Sequence, residues 1–170
     1  YLGWQRQESS NNTIQGKFEA ILEKLCGSRI EIQASGRTDS GVHAYGQVAN
    51  FKMDTQLSSI EIMEYMNQYL PEDIAVISIE EVPLRFHSRL NAKGKTYQYR
   101  VRNSKTPDVF NRRYVYQINE TLDLAAMQRA ADYLIGQHDF KAFTSTKKGK
   151  KPSIRTIDEI RIEQIKDEII

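Results

Sequence analysis

Residues 36–44, which we call the Asp39 loop, carry the side chains of this 170-residue chain that best suit chemistry. Glycines at positions 36 and 41 permit tight or left-handed backbone, so the polar residues between them can be presented at the rim of a sheet. Arg37 and Asp39 lie two residues apart, and in an extended segment both side chains project to the same side. There the guanidinium can pair with the carboxylate and keep it ionised. An ionised aspartate is a competent nucleophile towards a sugar carbon or an activated base.

The same residues have a structural interpretation, which their chemistry taken alone favours. Asp39, Ser40 and Gly41 are typical of a turn in which the aspartate bonds only its own backbone. His43 is a candidate general base, but a packing or surface role accounts for it more simply. The chain has no pair of histidines at metal-binding spacing and no Walker-type glycine loop, so metal and nucleoside-triphosphate chemistry have no support.

Positive charge is concentrated in two regions, although the formal net charge is only +2. Residues 85–113 contain nine Lys and Arg against one acid, and residues 141–155 contain six and no acid. Clustered cations gain affinity for a polyanion by displacing counterions from its phosphates. The candidate RNA-contacting cations are Arg89, Lys95, Arg100, Lys147, Lys148 and Lys150. The alternative is an ordinary solvated surface.

Aromatic and cationic side chains alternate in residues 95–102, which predicts a strand with Tyr97 and Tyr99 on one face and Arg100 on the other. Such a mixture suits a surface that stacks bases and contacts phosphates. The alternative is a sheet in which both tyrosines belong to the core and bond their hydroxyls at its edge.

Two helices and two strands are expected to position the Asp39 loop. Apolar spacing predicts a helix between Thr13 and Gly27 and a second helix from Ser59 to Pro71. Strands are predicted on either side of the loop, at residues 29–35 and 47–53.

The rest of the chain continues the mixture of helices and strands. Beyond residues 95–102, strands are predicted at residues 74–82, 113–118 and 154–165, with a third helix from Leu122. The polar, proline-containing residues 103–108 are the best break, which predicts domains at 1–103 and 104–170. The pattern predicts an α+β fold with mainly antiparallel sheets and helices packed on one face.

Hydropathy and cysteine content predict a cytoplasmic protein without membrane contact. No apolar run approaches the roughly 20 residues needed to span a bilayer, and the amino terminus lacks a signal-peptide pattern. Cys26 is the only cysteine, which excludes an internal disulfide and a cysteine-rich zinc site.

Four motifs follow one another along nearly the whole chain. They are Tyr1-Leu2-Gly3-Trp4-Gln5, the nine residues of the Asp39 loop, Phe86-His87-Ser88-Arg89 followed by Lys95-Thr96-Tyr97-Gln98-Tyr99, and Leu134-Ile135-Gly136-Gln137-His138-Asp139-Phe140 with Phe143. Their residues and order resemble the TruA family of tRNA pseudouridine synthases. The nine-residue match is the most specific of the four.

The resemblance implies a pseudouridine synthase fold of two ferredoxin-like, RRM-like subdomains. It also implies isomerisation of uridine to pseudouridine at positions 38 to 40 in the anticodon arm of tRNA, without cofactor or metal. Asp39 falls on the family's catalytic aspartate, which attacks the sugar or the base. Arg37 falls on the arginine that occupies the space of the flipped nucleotide, and Tyr97 on the tyrosine that stacks on the target uracil. The implied partners are the tRNA anticodon stem-loop and a second copy of the chain in a homodimer.

The chain departs from the family pattern at both ends. It lacks the edge strand expected before Tyr1 and the later Phe-x-x-x-Met-Val-Arg motif, whose arginine pairs with the catalytic aspartate. We therefore expect a truncated chain with an incomplete second domain, and its own activity and dimerisation stay open. The alternative function is a noncatalytic RNA-binding module with an RRM-like sheet.

Overall fold

The computed structural model describes residues 1–144 and 153–170, which form two compact units, Tyr1–Lys95 and Thr96–Ile170. The predicted RNA-contacting residues Lys147, Lys148 and Lys150 lie outside the described residues. Helices and small sheets are mixed along the chain, as predicted for the α+β class. The predicted domains, 1–103 and 104–170, stay a prediction, because compactness alone does not make either unit an independent domain.

Helix α1 spans Ile14–Cys26 and begins and ends where the sequence predicts. The Thr13 hydroxyl accepts a hydrogen bond from the Gly16 amide, which satisfies one of the free donors of the first turn. Gly27 ends the helix in the left-handed conformation, with φ at 71°, and its amide donates to the Glu23 carbonyl.

Helix α2 spans Ser59–Tyr69 and is confirmed as well. It begins with a capping box, in which Ser58 and Glu61 each accept a hydrogen bond from the other's backbone amide. The backbone and hydroxyl bonds from Ser58 lower the pKa of the Glu61 carboxyl. The helix ends at Leu70, just before Pro71.

Two short strands flank the Asp39 loop, within the ranges predicted for them. Strand β1 is Gln33–Ala34 and strand β2 is Ala49–Asn50, and they pair antiparallel with Gln33 opposite Asn50. The loop is therefore the connection of a small hairpin, and its two ends are held together by the pairing.

The core of the first unit packs both helices against the residues that precede β1 and those that follow β2. Its buried side chains are Trp4, Ile21, Leu22, Ile30, Ile32, Ile62, Met66 and Leu70. The predicted apolar face of α1 points into it, since Ile14, Phe18 and Leu25 pack on the same cluster.

Leu22 is fully buried, so Leu22→Ala is expected to lower the free energy of unfolding by about 3 kcal/mol through lost burial and a residual cavity. Urea unfolding followed by circular dichroism measures the loss. The control is Ile60→Ala in α2, where the side chain is 64% exposed and a much smaller change is expected. Equal losses in the two variants would contradict the assignment of Leu22 to the core.

Two polar side chains of α1 are also buried, which the sequence analysis did not predict. Gln15 Nε2 donates to Glu19 Oε1 at 2.8 Å and to the Ile32 carbonyl at 3.1 Å, and Glu19 Oε1 accepts from the Ile32 amide at 3.2 Å. The Arg6 guanidinium lies 3.4 Å from the other Glu19 oxygen. These bonds tie α1 to the segment that leads into β1 and the Asp39 loop.

The strand predicted at residues 74–82 is wrong. The segment forms no strand in the described structure, although Ile74, Val76 and Ile79 pack on the core as the alternation suggests. The reason lies in its hydrogen bonds. The Asn67 side chain of α2 accepts from the Val76 amide at 2.7 Å and donates to the Val76 carbonyl at 2.9 Å. At Val76, a side-chain amide thus takes the two bonds that a neighbouring strand would otherwise make.

The second unit has six short strands in its described part. They are β3 (Val101–Asn103), β4 (Tyr116–Ile118), β5 (Gly136–Asp139), β6 (Ile154–Ile157), β7 (Gln164–Ile165) and β8 (Glu168–Ile169). One sheet has the order β4-β3-β8-β7, with β3 and β4 parallel and the other pairs antiparallel. A separate antiparallel pair joins β5 to β6. Helix α3 spans Leu124–Asp132, two residues after the predicted start, because Asp123 caps it by accepting from the Ala126 amide.

Two strand predictions in the second unit need correction. Residues 95–102 were expected to form one strand, but β3 comprises only Val101–Asn103, where β4 and β8 supply partners. Residues 154–165 were also expected to form one strand, whereas only their two ends are strands, β6 and β7, which pair with different neighbours. In both cases, alternating side chains indicate an extended segment, but a strand forms only where a neighbouring strand pairs with it.

Candidate active-site loop

The Asp39 loop is held against the amino-terminal segment of the chain. The Trp4 amide donates to the Thr38 carbonyl at 3.0 Å, and Gly3 adopts a left-handed φ of 90° beside it. A Cβ on Gly3 would lie 2.6 Å from the Thr38 oxygen and 3.1 Å from the Asp39 carbonyl carbon. Only glycine permits this approach, so Gly3 places the peptide that carries Asp39.

The amino-terminal segment is itself firmly placed. The Ile14 amide donates to the Gly3 carbonyl and the Gln15 amide to the Trp4 carbonyl, so the first turn of α1 bonds this segment. The Tyr1 hydroxyl donates to Asp73 at 2.5 Å; burial first, and then this bond and the carboxylate charge, raise the pKa of Tyr1 to about 12. The hydroxyl therefore stays a donor at neutral pH.

A turn follows Asp39 directly. The Val42 amide donates to the Asp39 carbonyl at 3.2 Å, and Gly41 has a left-handed φ of 78°. The Ser40 hydroxyl donates to the Tyr1 carbonyl at 3.0 Å. The turn expected at Asp39 is thus present, but main-chain groups and Ser40 make it. Within residues 1–144 and 153–170, no hydrogen bond reaches the exposed Asp39 carboxylate.

The start of the loop is fixed by Gln47. Gln47 Nε2 donates to the Gly36 carbonyl at 2.7 Å, and its Oε1 accepts from the Ser35 hydroxyl at 2.6 Å. The Ser35 amide donates to the Val48 carbonyl, which continues the pairing of the two strands. The loop is therefore bonded on both sides while the side chains of Arg37 and Asp39 stay in solvent.

The expected ion pair between Arg37 and Asp39 is absent from the ion pairs formed by the described residues, and both side chains are exposed. The extended geometry that would align them ends at Asp39, where the chain turns and the Thr38 carbonyl bonds Trp4. An exposed pair would also gain little energy to hold that geometry. Both groups are consequently available to a ligand.

Two further segments of the first unit carry predicted cations. Ser88 is 3% exposed; its amide donates to Asn50 Oδ1 at 2.8 Å and its hydroxyl to the Gln33 carbonyl at 2.7 Å. This anchors the next residue, the exposed Arg89, to the hairpin that carries the Asp39 loop. Lys95 is also exposed, and its ammonium lies against Gly36.

In the second unit, Tyr97 and Tyr99 are 74% and 80% exposed. They are therefore not core residues here, and their rings are free to stack. Arg100 is placed differently, since its Nε and Nη2 donate to one Glu168 oxygen at 3.0 and 2.7 Å. The positive charge of Arg100 is thus already paired with a carboxylate of the protein.

The described residues hold no group of three or more His, Cys, Asp or Glu side chains that could bind a metal ion. Among them there is also no helix of the length and apolar character that crossing a bilayer requires.

Comparison with known proteins identifies the family. A family model described as tRNA pseudouridine synthase matches residues 1–91 and 130–170. This chain belongs to the tRNA pseudouridine synthase family. The resemblance found in the motifs is thereby confirmed.

Several bacterial members of the tRNA pseudouridine synthase family are similar to this chain. A tRNA pseudouridine synthase A of a Bacillus species is 48% identical over 163 residues, which is 96% of this chain and 67% of the relative. A tRNA pseudouridine synthase A 2 of Bacillus anthracis is 43% identical over 162 residues (95% and 66%). A tRNA pseudouridine synthase A 1 of Clostridium tetani is 45% identical over 162 residues (95% and 66%). The chain spans about two thirds of the length of these relatives.

Three residues of this pseudouridine synthase chain position the Asp39 hairpin, and the sequence analysis did not predict that role for them. Gly3 and Ser88 lie within motifs that the sequence analysis quoted, but nothing local indicates that they bond or contact the Asp39 hairpin. Gln47 was assigned only to a strand, although it bonds the loop. Gly3 gives only a general signal, since glycine often marks close backbone approach without indicating which segment approaches.

Proposed function

We propose that the complete protein isomerises uridine to pseudouridine at positions 38 to 40 in the anticodon arm of tRNA, with Asp39 as its nucleophile. The observation that carries the proposal is the Asp39 loop itself, a backbone bonded on both sides that leaves an unpaired carboxylate in solvent, in a chain of this family. A fixed backbone supports catalysis because the nucleophile meets its target without first being ordered.

The chemistry needs no redox partner. The carboxylate attacks the sugar or the uracil ring, the bond between ribose and the base nitrogen breaks, and the base turns over and rejoins the ribose through carbon. The bond between Asp39 and the substrate breaks in turn, which restores the carboxylate. The base carbon loses a proton and the base nitrogen gains one, so substrate and product are isomers. This balance explains why we propose neither cofactor nor metal.

Two further residues receive roles in the proposed site. Arg37 takes the space vacated by the flipped nucleotide, a role for which its exposed guanidinium is suited. Tyr97 stacks on the target uracil, and its 74% exposure supports that role. Arg89, Lys95, Arg100, Lys147, Lys148 and Lys150 are proposed to contact the tRNA backbone, although Arg100 would have to exchange Glu168 for phosphate.

The proposal extends to the architecture and setting of the complete protein. We propose that its two halves have the ferredoxin-like, RRM-like arrangement and that it acts on tRNA as a homodimer in the cytoplasm. The mixed helices and small, mostly antiparallel sheets are consistent with this arrangement.

The noncatalytic RNA-binding module is the second candidate. The observation that favours it is the exposure of Tyr97 and Tyr99, because exposed rings on a basic segment are sufficient to stack bases without chemistry. It does not require Asp39, which is what separates the two candidates.

Incubation of the complete protein with an unmodified tRNA transcript is expected to yield pseudouridine within positions 38 to 40. Carbodiimide labelling followed by primer extension maps the product. The control transcript has cytidine at those three positions and is expected to remain unmodified. Modification only elsewhere in the tRNA would contradict the proposed specificity, and no modification at all would contradict the proposed activity.

A further inference from the structure

Lys95 places its side chain on Gly36, at the start of the Asp39 loop. A Cβ built on Gly36 would lie 2.7 Å from Lys95 Nζ and 3.5 Å from its Cε. The ammonium therefore occupies the space that any other residue at position 36 would fill. A side chain at position 36 would therefore require the flexible Lys95 side chain to move, whereas the backbone angle of Gly36 itself is not unusual.

The surroundings of this ammonium favour an anion from outside the protein. The nearby Gly36 carbonyl already accepts from Gln47, and the ion pairs of the described residues do not include Lys95. The residue after Gly36 is Arg37, a second exposed cation that the same ion pairs do not include. Both cations are thus exposed at the start of the loop, where an anion from outside the protein can reach them.

We propose that Lys95 binds a backbone phosphate of the RNA next to the target uridine, and that Gly36 gives its ammonium this position. The proposal rests on tRNA being the substrate, and it adds a specific site to the general contact with tRNA. An ammonium is a compact charge with three donors, which suits the oxygens of a single phosphate. Binding there holds the strand beside the loop while leaving Asp39 unoccupied.

A charge deletion in the RNA tests the contact directly. The probe is a synthetic anticodon stem-loop with one uncharged methylphosphonate linkage on either side of the target uridine, compared with the all-phosphate RNA. The unchanged complete protein is expected to bind one of the modified RNAs about tenfold more weakly, since charge-assisted hydrogen bonds are among the stronger ones. Lys95→Met is expected to bind that RNA and the all-phosphate RNA alike.

Two glycine variants test the role of Gly36. Gly36→Ala is expected to move the ammonium and to weaken binding by a smaller factor than Lys95→Met, because the flexible lysine side chain keeps its charge. Gly46→Ala is the matched control, because no atom lies within 4 Å of the added Cβ and its φ is not left-handed. In Lys95→Met, the slope of log affinity against log salt is expected to fall by about 0.7 to 0.9, whereas Gly36→Ala keeps the lysine charge and is expected to change the slope less.

The outcomes separate this proposal from the proposed function. If the losses from Lys95→Met and from either neutral linkage simply add, Lys95 does not bind this phosphate. If Gly36→Ala binds like Gly46→Ala, Gly36 does not place the ammonium. Pseudouridine formation by the unchanged protein is measured on a tRNA transcript in parallel. Its absence would contradict the proposed function, whereas its presence without coupling would contradict the Lys95 site alone.

Discussion

Asp39→Asn in the complete protein is expected to lower the rate of pseudouridine formation by about 10⁴-fold or more, because it removes the nucleophilic oxygen and its charge. The tRNA affinity is expected to change little. The side chain keeps its shape, and the loop is held by Trp4, Tyr1 and Gln47 rather than by the carboxylate. Single-turnover rates from pseudouridine mapping and filter-binding affinities measure the two effects separately.

Asp54→Asn is the matched control for that variant. Asp54 is another exposed aspartate of the first unit, so the same charge is removed away from the loop, and the rate is expected to stay unchanged. Modification that survives in Asp39→Asn with unchanged binding would contradict the assignment. It would favour the RNA-binding module, for which the basic residues rather than Asp39 determine the phenotype.

Gly3→Ala is expected to lower the rate by about 100-fold, because displacement of a catalytic group by about 1 Å has effects of this size. The new Cβ would lie 2.6 Å from the Thr38 carbonyl oxygen, and neither atom can rotate away, because the oxygen belongs to the backbone and the Cβ is bonded directly to it. The left-handed backbone adds a loss of unfolding free energy of about 1–2 kcal/mol. The measurements are single-turnover rates and urea unfolding.

Gly27→Ala separates strain from displacement of the loop. Gly27 has a similar left-handed φ of 71°, but it ends α1 and no atom lies within 4 Å of an added Cβ. We expect it to lose stability like Gly3→Ala while keeping its rate. The comparison requires that Gly3→Ala and Gly27→Ala are both folded at the assay temperature. If they then show the same rate, Gly3 does not position Asp39.

Helices were the most predictable elements of this fold. The signals for α1 lie within it or next to it, in the cap at Thr13, the apolar spacing and the stop at Gly27. Strands were less predictable, because a strand exists only where a partner lies beside it. Residues 74–82 alternate like a strand, yet the Asn67 side chain takes the bonds that a partner would have taken at Val76.

In the candidate site, too, some features follow from local sequence and others from contacts between distant segments. The sequence by itself determined the reactive segment and its family, because residues 36–44 are contiguous and their types are specific. It also located the turn at Asp39. Only the tertiary structure decided that Arg37 and Asp39 do not pair, that Gly3 meets Thr38 and that Lys95 lies on Gly36. The last two contacts join residues 35 and 59 positions apart. No local pattern specifies such distances, since they depend on how the core packs the segments together.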